Sequence, residues 1–253
     1  MKIEQLLEAR RNPDLNPKTD INEIVKGYID KDPSLVYHFK NREILSANIN
    51  PNTDSPIGIY AYTSEAVANA LRGGGVHRLP YASGRRKLFV LKPKGNIINL
   101  QTYDNFMSDA IKVSKFLLGE YNKMDTELEL GLGDDSVKDY LVMMMEEFAD
   151  NFSVDGEAIW KFVYEVLEYF NESFYIPRLQ QISKATNTIF MKVLGWDGVV
   201  DNGGSIIHRQ EPHQIALFHP KAYELIGMYD NVERDEEGKA TRGDASWRSE
   251  KKE

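Results

Sequence analysis

The sequence predicts an α+β fold, in which a strand-forming core is interrupted by a block of helices, and two observations support this class. Short runs of β-branched and aromatic residues, bounded by Gly, Pro and Asn, occur between residues 34 and 103 and again after residue 194. Between them, residues 104–193 carry apolar residues at helical spacing throughout. Because strands and helices are segregated along the chain, we do not expect alternating βαβ units.

We therefore divide the chain into five segments. The last segment has mixed charge and few aromatic residues, so we expect a flexible tail that cannot order itself alone. The segments are the N-terminal helices (1–33), the first half of the core (34–103), the helical insertion (104–193), the second half of the core (194–228) and the tail (229–253).

The elements of the first half follow in order. A short amphipathic helix is expected around residues 3–7, and Asp20 can cap a second helix whose apolar face includes Val25. Ser64 can cap a further helix, which the glycine triplet at 73–75 ends. Four strands are predicted, at 35–39, 57–62, 87–91 and 96–100.

The insertion and the second half of the core are equally regular. Apolar stripes predict helices over 137–148 and 159–170, and Pro177 suits the first turn of a further helix that runs through Phe190. Three strands are then predicted, at 195–200, 205–208 and 214–218.

Composition excludes several classes of protein. The 253 residues contain no cysteine, which excludes a disulfide scaffold, thiol catalysis and thiolate metal ligation. The 31 basic and 39 acidic residues give a net charge of -8, which argues against a general nucleic-acid coat and against adhesion to an anionic membrane. No apolar run approaches the ~20 residues that span a bilayer, and no apolar leader begins the chain, so we expect a soluble protein.

The net charge is distributed unevenly along the chain. Residues 104–193 hold 17 acidic and 8 basic residues, whereas the remainder holds 22 acidic and 23 basic residues. Within that remainder, residues 76–95 carry six basic residues, Arg85 and Arg86 among them, and no acidic residue. This strip would suit a phosphate-bearing ligand, although a solvated loop and strand edge are the simpler interpretation. We therefore expect a ligand on the strands and a partner on the helices.

The strand that begins at Gly58 carries the first candidate binding residues. A glycine inside a strand lets another group approach the backbone closely. Tyr60 and Tyr62 lie two residues apart and therefore on one strand face, where their rings could form a stacking wall for a flat ligand. An aromatic strand face packed on the core is the simpler interpretation.

Polar candidates occur on two other predicted strands and the turns between them. His38 follows Tyr37 on a strand, where a histidine is more often a hydrogen-bonded core or rim residue than a functional one. The turn-rich stretch 195–220 carries four further candidates, which are Asp197, Asp201, Glu211 and Gln214.

Neither a metal site nor a common nucleotide-binding loop is indicated. The three histidines of the second half lack the His-x-x-x-His spacing of a helical metal site, and no carboxylate is well placed to complete one. The chain also has no Walker A loop and no Gly-x-Gly-x-x-Gly after a strand. Any nucleotide would need a different kind of fold.

Taken in chain order, these segments resemble the ADP-ribosyltransferase superfamily. The resemblance is to its histidine–tyrosine–glutamate branch, which includes the poly(ADP-ribose) polymerases and compact phage and mobile-element members. Five segments carry it, in two blocks separated by the helices. They are Tyr37-His38, Gly58-Ile59-Tyr60 with the small-residue helix that follows, the paired strands of 86–100, Gly195-Trp196-Asp197-Gly198, and the strand from Gln214 to Pro220.

The resemblance implies a split antiparallel β-sheet and NAD⁺ as the substrate. It implies that His38 holds the ribose of the nicotinamide half, that Tyr60 stacks on the nicotinamide ring, and that Gln214 supports an oxocarbenium-like transition state. The further residues that it implies for NAD⁺ binding are Tyr37, Gly58, Tyr62, Arg85 and Arg86.

Two departures from the family pattern bear on the chemistry. Phe39 stands where compact members usually have the glycine that permits close backbone approach to nicotinamide. Gln214 stands where a glutamate is usual, and an amide stabilises a developing cation less than a carboxylate does, by roughly a few kcal/mol. Asp197, Asp201 or Glu211 could supply the missing charge. Asp197 is the first to test, although holding a turn is its simpler role.

Three functions follow as alternatives. We favour an NAD⁺-dependent mono-ADP-ribosyltransferase that modifies a protein, encoded by a phage and acting in the cytoplasm of a bacterial host. The second is a catalytically weak or inactive member of the same fold that serves as a virion structural or interaction protein and docks a partner on its acidic helices. The third is hydrolysis of NAD⁺.

Overall fold

The computed structural model has the predicted α+β class. Within the described part of the chain, seven strands form one curled, mostly antiparallel sheet, and helices cover its outside. The first predicted helix, around residues 3–7, lies outside this part. The described residues are 20–40, 45, 56–79, 82, 87–128, 134–174, 176, 179–202, 206–207, 214–230, 233–234 and 240–242.

The helices follow the apolar stripes of the sequence. A π-helical turn, Ile189–Val193, continues the last of them, and two 3₁₀ turns occur at Val76–Arg78 and Pro220–Ala222. The α-helices in the described ranges are α1 (Ile21–Lys31), α2 (Ser64–Arg72), α3 (Phe106–Leu128), α4 (Asp134–Asn151), α5 (Asp155–Phe174) and α6 (Ile182–Thr188).

The strands form the order β4-β5-β6-β2-β1-β3-β7 in the main sheet. The pair of β4 with β5 is parallel, and the other pairs of this sheet are antiparallel. The strands are β1 (Val36–Lys40), β2 (Ile59–Thr63), β3 (Lys87–Pro93), β4 (Ile97–Asn99), β5 (Gly198–Asp201), β6 (Gln214–Leu217) and β7 (Tyr223–Asp230), with a separate hairpin of β8 (Glu233–Arg234) and β9 (Ala240–Arg242).

The two halves of the main sheet meet at a short junction between β1 and β2. β1 pairs with β3 at five positions and β2 pairs with β6 at four. By contrast, β1 pairs with β2 only where Val36 faces Thr63 and Tyr37 faces Tyr62. Beyond these two positions the two strands separate, although the residues on both sides are described.

One face of the sheet, which we call the inner face, packs against itself. Side chains from all seven strands form a single apolar cluster there, and such contacts across a sheet require it to curl around them. The strand residues in this cluster are Val36, Ile59, Ala61, Phe89, Leu91, Ile97, Val200, Ile215, Leu217, Tyr223, Leu225 and Met228.

Helices cover the opposite, outer face in two groups. The helices α1 and α2 pack on the half that contains β1 and β3, and they bury Val25 and Val67 there completely. The helices α3 to α6 pack on the other half around a stack of four rings. In this stack Phe190 lies nearly parallel to Trp160, Trp196 and Phe218, with centroids 5.1 to 5.6 Å apart.

Two predicted helix ends were confirmed and two helix starts were wrong. The helix predicted to have Pro177 in its first turn begins only at Ile182, after a turn at 179–181. Asp20 caps α1 by accepting a hydrogen bond from the Asn22 N–H at 2.9 Å, and α2 ends at Arg72 directly before the glycine triplet. The predicted cap of α2, Ser64, was wrong. Thr63 accepts from the Ala66 N–H instead, while the Ser64 hydroxyl donates to the Leu35 carbonyl and ties α2 to β1.

The predicted strand at 205–208 was also wrong where it is described. The N–H groups of Ile206 and Ile207 donate to a carboxylate oxygen of Asp201, at 2.8 and 3.1 Å. They are therefore not available to a neighbouring strand, and the chain bends. A buried polar side chain has replaced the sheet as the hydrogen-bond acceptor.

The tail begins later than predicted, because the sequence analysis missed β7. This edge strand pairs along the whole of β3 and extends past the predicted boundary at residue 228 to Asp230. Tyr229 is 7% exposed, and its hydroxyl hydrogen-bonds the Tyr28 hydroxyl of α1. Glu224 and Gly227 break the apolar pattern of the strand, and Glu224 pairs with Lys94, directly after β3, at 2.6 Å.

No described helix has both the length and the apolar character required to cross a membrane.

Two helical glycines give opposite expectations for substitution by alanine. A Cβ on Gly156, in the first turn of α5, would overlap the Leu100 carbonyl, whereas a Cβ on Gly119 of α3 would meet nothing within 4 Å. We expect Gly156→Ala to destabilise the protein by about 1–3 kcal/mol. The control Gly119→Ala should stabilise it by about 0.5–1 kcal/mol. Urea unfolding followed by circular dichroism measures both, and equal effects would contradict the close packing of α5 on Leu100.

Candidate functional site

His38 lies where β1 and β2 separate. Its Nδ1 atom donates a hydrogen bond to the Tyr60 carbonyl at 2.7 Å. A carbonyl only accepts, so this bond places the proton of the neutral imidazole on Nδ1 and leaves Nε2 as an acceptor. The ring also lies 6.1 Å from Phe89, on the inner face. The side chain is thus held in one orientation and one tautomer at the opening of the sheet.

The start of β2 is held on both sides. Gly58 packs so closely on β6 that a Cβ would stand 2.7 Å from the Leu217 carbonyl, which explains the glycine. The group that approaches this backbone is therefore the neighbouring strand. The Tyr60 hydroxyl donates to the Pro56 carbonyl at 2.7 Å, which closes the segment into a loop.

Asn187 of α6 was missed by the sequence analysis and positions the same segment. Its side-chain oxygen accepts from the Ile57 N–H at 2.5 Å, and its nitrogen donates to the Ile57 carbonyl at 2.7 Å. The helical insertion is therefore hydrogen-bonded to the segment that leads into β2, the strand that carries Tyr60. An asparagine inside a helix is a weak signal in a sequence, because the residue is also common at caps and turns.

The three tyrosines of the predicted site occupy different environments. Tyr37 is fully buried, and burial raises the pKa of its phenol to about 12. Tyr62 is 4% exposed and packs against Phe39 in the cluster beneath α2. Tyr60 is half-buried and lies against the helical cluster. Tyr60 and Tyr62 share the outer face, as predicted, but only Tyr60 keeps substantial exposure.

Gln214 lies in a row of buried polar residues that crosses the outer face. It faces Tyr62 on one side and Asp201 on the other, and Tyr37 continues the row beyond Tyr62. Directly paired residues of neighbouring strands share a face, so Gln214 lies on the outer face and His38 on the inner face. The structure therefore brings His38 and the Tyr60 backbone together but does not place Gln214 beside the His38 ring.

Asp201 is a buried carboxylate with its hydrogen bonds satisfied. Besides the N–H groups of Ile206 and Ile207, it accepts from the Gln101 side chain at 2.8 Å. A buried charge requires such partners. Asp201 fixes the turn that leads from β5 towards β6 and thereby the approach to Gln214.

Asp197 lies at the other end of β5 and holds a turn. One carboxylate oxygen accepts from the Asn96 N–H at 2.7 Å, and the other accepts from Nε2 of His219 at 2.7 Å. Because Nδ1 of His219 accepts from the Lys221 N–H, this imidazole is neutral. The Asn96 N–H, and after it the His219 side chain, hold the pKa of Asp197 below its ordinary value. Strand pairing sets Asp197 about 13 Å from Asp201, the partner of Gln214.

The basic strip of the sequence is partly neutralised in the structure. Lys92 pairs with Asp32 at 2.9 Å and Lys94 pairs with Glu224 at 2.6 Å, both at the surface. The acidic partners come from other segments of the chain, so local sequence charge overstates the positive potential. The predicted candidates Arg85, Arg86 and Glu211 lie outside the described residues.

A cavity of about 310 Å³ opens on the inner face beside the β1–β2 junction. Val36, Ile97, Val200 and Ile215 form its apolar wall, and Thr63 and other polar side chains stand at its rim. Its volume is at the lower end of the range for small-molecule sites. His38 lies two residues beyond Val36 on the same strand face, so a ligand on the inner face could reach both.

In the described ranges, no three His, Asp or Glu side chains converge as metal ligands would. Comparisons with protein-family models, with curated proteins and with solved structures gave no match for this chain. The geometry of the site therefore has to support any assignment by itself.

We expect Asn187→Ala to destabilise the protein by about 1–3 kcal/mol, because both polar groups of the Ile57 backbone lose their partner. Asn187→Asp keeps the acceptor for the Ile57 N–H and should cost less. Urea unfolding measures both, with Lys184→Ala at an exposed position of α6 as the control. An Asn187→Ala variant as stable as the control would show that the contact does not hold β2.

The Asp197 turn should make stability depend on pH in the acid range. A carboxyl whose folded pKa is lowered stabilises the protein above its unfolded pKa, near 4, and this stabilisation is lost as the pH falls towards the folded pKa. We therefore expect Asp197→Asn to lower Tm by about 2 °C at pH 7, with the difference from wild type shrinking below pH 4. The exposed Glu168→Gln is the control. A constant difference across this range would contradict the assignment.

Proposed function

We propose that this protein is an NAD⁺-dependent mono-ADP-ribosyltransferase that modifies a protein, encoded by a phage and acting in the cytoplasm of a bacterial host. One observation carries the proposal. His38 is oriented by the Tyr60 carbonyl at the point where β1 and β2 separate. A split antiparallel sheet, with a histidine on one strand and a tyrosine on the next, is the arrangement that the resemblance implies.

The orientation of His38 suits a ribose. With its proton on Nδ1, the ring has Nε2 as its acceptor atom, and Nε2 is buried in this structure. A hydroxyl group of the nicotinamide ribose would donate to Nε2 once the ligand has parted β1 and β2. The glycosidic bond then breaks with its electron pair passing to nicotinamide, and a nucleophile of the acceptor protein bonds to the ribose carbon. Nicotinamide is a good leaving group, so the protein mainly has to position the substrate and stabilise the cationic transition state.

The residue that stabilises the cation is the open part of the proposal. Gln214 is a neutral amide, 4% exposed, and belongs to the outer face. Asp197 is engaged by Asn96 and His219 at the far end of β5. The resemblance assigns the support of the transition state to Gln214, and its place on the outer face leaves the charge to a carboxylate of the same stretch. We propose that Asp197, Asp201 or Glu211 supplies this charge, with Asp197 as the first to test.

A second function has its own supporting observation. The burial of Gln214, away from His38, favours a protein that has kept the fold without the chemistry and serves as a virion structural or interaction component. Such a protein would dock its partner on the acidic helices of residues 104–193. It would be indifferent to substitutions at His38 and Gln214 that leave the fold intact.

Binding of NAD⁺ separates the two functions. We expect isothermal titration to show NAD⁺ binding to wild type. His38→Ala should weaken this binding at least tenfold, because it removes one hydrogen bond between neutral groups and a ring contact. His77→Ala, at an exposed histidine of the Val76–Arg78 turn, is the matched control and should bind as wild type does. A wild-type protein that does not bind NAD⁺ overturns the transferase.

Turnover tests the chemistry. Nicotinamide release and transfer of label from NAD⁺ to a protein of a bacterial lysate should fall in Asp197→Asn and Gln214→Ala, but not in Gln181→Ala at an exposed glutamine of the α6 cap. Free ADP-ribose without a labelled protein would instead identify an NAD⁺ hydrolase. NAD⁺ binding without nicotinamide release would select the inactive fold.

A further inference from the structure

Large exposed apolar side chains are concentrated on one helical hairpin. Among the described residues, the four large hydrophobic side chains that are most exposed all lie on α3 and α4. Met107 and Ile111 of α3 are 46% and 41% exposed, and Val142 and Met143 of α4 are 47% and 52% exposed. Single exposed apolar residues need no explanation, but a group on one surface indicates an interaction site.

The two helices form a shared groove on the side away from the core. The Ser114 hydroxyl contacts the Met145 sulfur at 3.7 Å, which fixes the relative height of the antiparallel helices. One helical turn from this contact in one direction, Ile111 of α3 is level with Ala149 of α4. One turn in the other direction, Leu118 comes level with Val142, because residues three or four apart lie on one helix face. Met107, Ile111 and Val142 therefore border one continuous groove, whereas Met143 points about 100° further round α4 and lies outside it.

The rims of this groove carry opposite charge. On the outer side of α4 the exposed carboxylates are Asp139, Glu146 and Asp150, while α3 presents Lys115. Within the described part of the chain, none of these four side chains forms an ion pair. Lys115 follows Ser114 and Glu146 follows Met145, but in antiparallel helices these steps run in opposite directions. The two opposite charges therefore stand on opposite rims about 3 Å apart in height.

We propose that this hairpin face is the interface of a homodimer. A twofold axis parallel to the helices keeps every residue at its own height and lays α3 of one copy over α4 of the other. Lys115 of each copy then faces Glu146 of its partner, and the apolar grooves cover each other. A second copy thus covers the apolar surface and gives Lys115 and Glu146 each a partner of opposite charge.

The area of the face suits a dimer of modest affinity. The described side chains of α3 and α4 each extend over about 25 Å at 1.5 Å per residue. Two neighbouring helices present a strip about 20 Å wide, which gives on the order of 500 Å² per copy and about 1,000 Å² in total. This is near the lower limit for a specific interface. We therefore expect association that depends on protein concentration.

Sedimentation of the full chain over a range of concentrations tests the dimer. Wild type should shift from monomer to dimer, and Ile111→Glu should shift the dissociation constant upwards by at least tenfold while far-UV circular dichroism and Tm stay unchanged. The exposed Lys184→Glu on α6 is the control and should dimerise as wild type does. A wild type that remains monomeric at about 100 μM, some hundredfold above a micromolar dissociation constant, overturns the proposal.

Charge reversal tests the pairing itself. Lys115→Glu and Glu146→Lys each place like charges opposite one another twice in the dimer, and each should weaken it about tenfold. Combining the two substitutions restores opposite charges and should recover most of the affinity. A dimer that is insensitive to both single reversals, or a double variant as weak as the sum of the singles, would place the interface elsewhere.

Discussion

The architecture depends on the two residue pairs that join β1 to β2. In the described chain, the strand pairing between the halves of the sheet consists of Val36 facing Thr63 and Tyr37 facing Tyr62. Each half has its own helical cover. A junction this short is marginal by itself. It is reinforced by the Ser64 hydroxyl on the Leu35 carbonyl, by the buried Tyr37 and by the His38 ring on the Tyr60 carbonyl. The candidate site is therefore also a structural joint.

Buried polar side chains, rather than regular ladders, define the irregular parts of the core. Asp201 turns the chain after β5, Asp197 and His219 close the opposite end, and Asn187 fastens the insertion to β2. Each of these side chains hydrogen-bonds backbone groups that would otherwise have no partner in a partly buried place. Leaving one such group without a partner costs about 1–3 kcal/mol. Polar residues on short strands can thus look like catalytic residues in a sequence although their role is structural.

The parts of the candidate site differ in how far they could be predicted. The shared face of Tyr60 and Tyr62 follows from strand alternation, which depends only on sequence spacing. The partner of Asp197 could not be inferred, because His219 comes from the far end of another strand. Likewise the positive strip of residues 76–95 lost much of its charge to Asp32 and Glu224, which are distant in sequence. Contacts between distant segments have no local signal.

By itself, the sequence determined the α+β class, the apolar stripes of α4 and α5, the cap at Asp20 and the glycine end of α2, since each depends on residues within a few positions. Tertiary structure decided the rest. It set Thr63 rather than Ser64 as the cap, made Tyr223–Asp230 an edge strand on β3, and put His38 and Gln214 on opposite faces. The physical reason is that register and curl are set by side chains that meet only once the sheet has closed on itself.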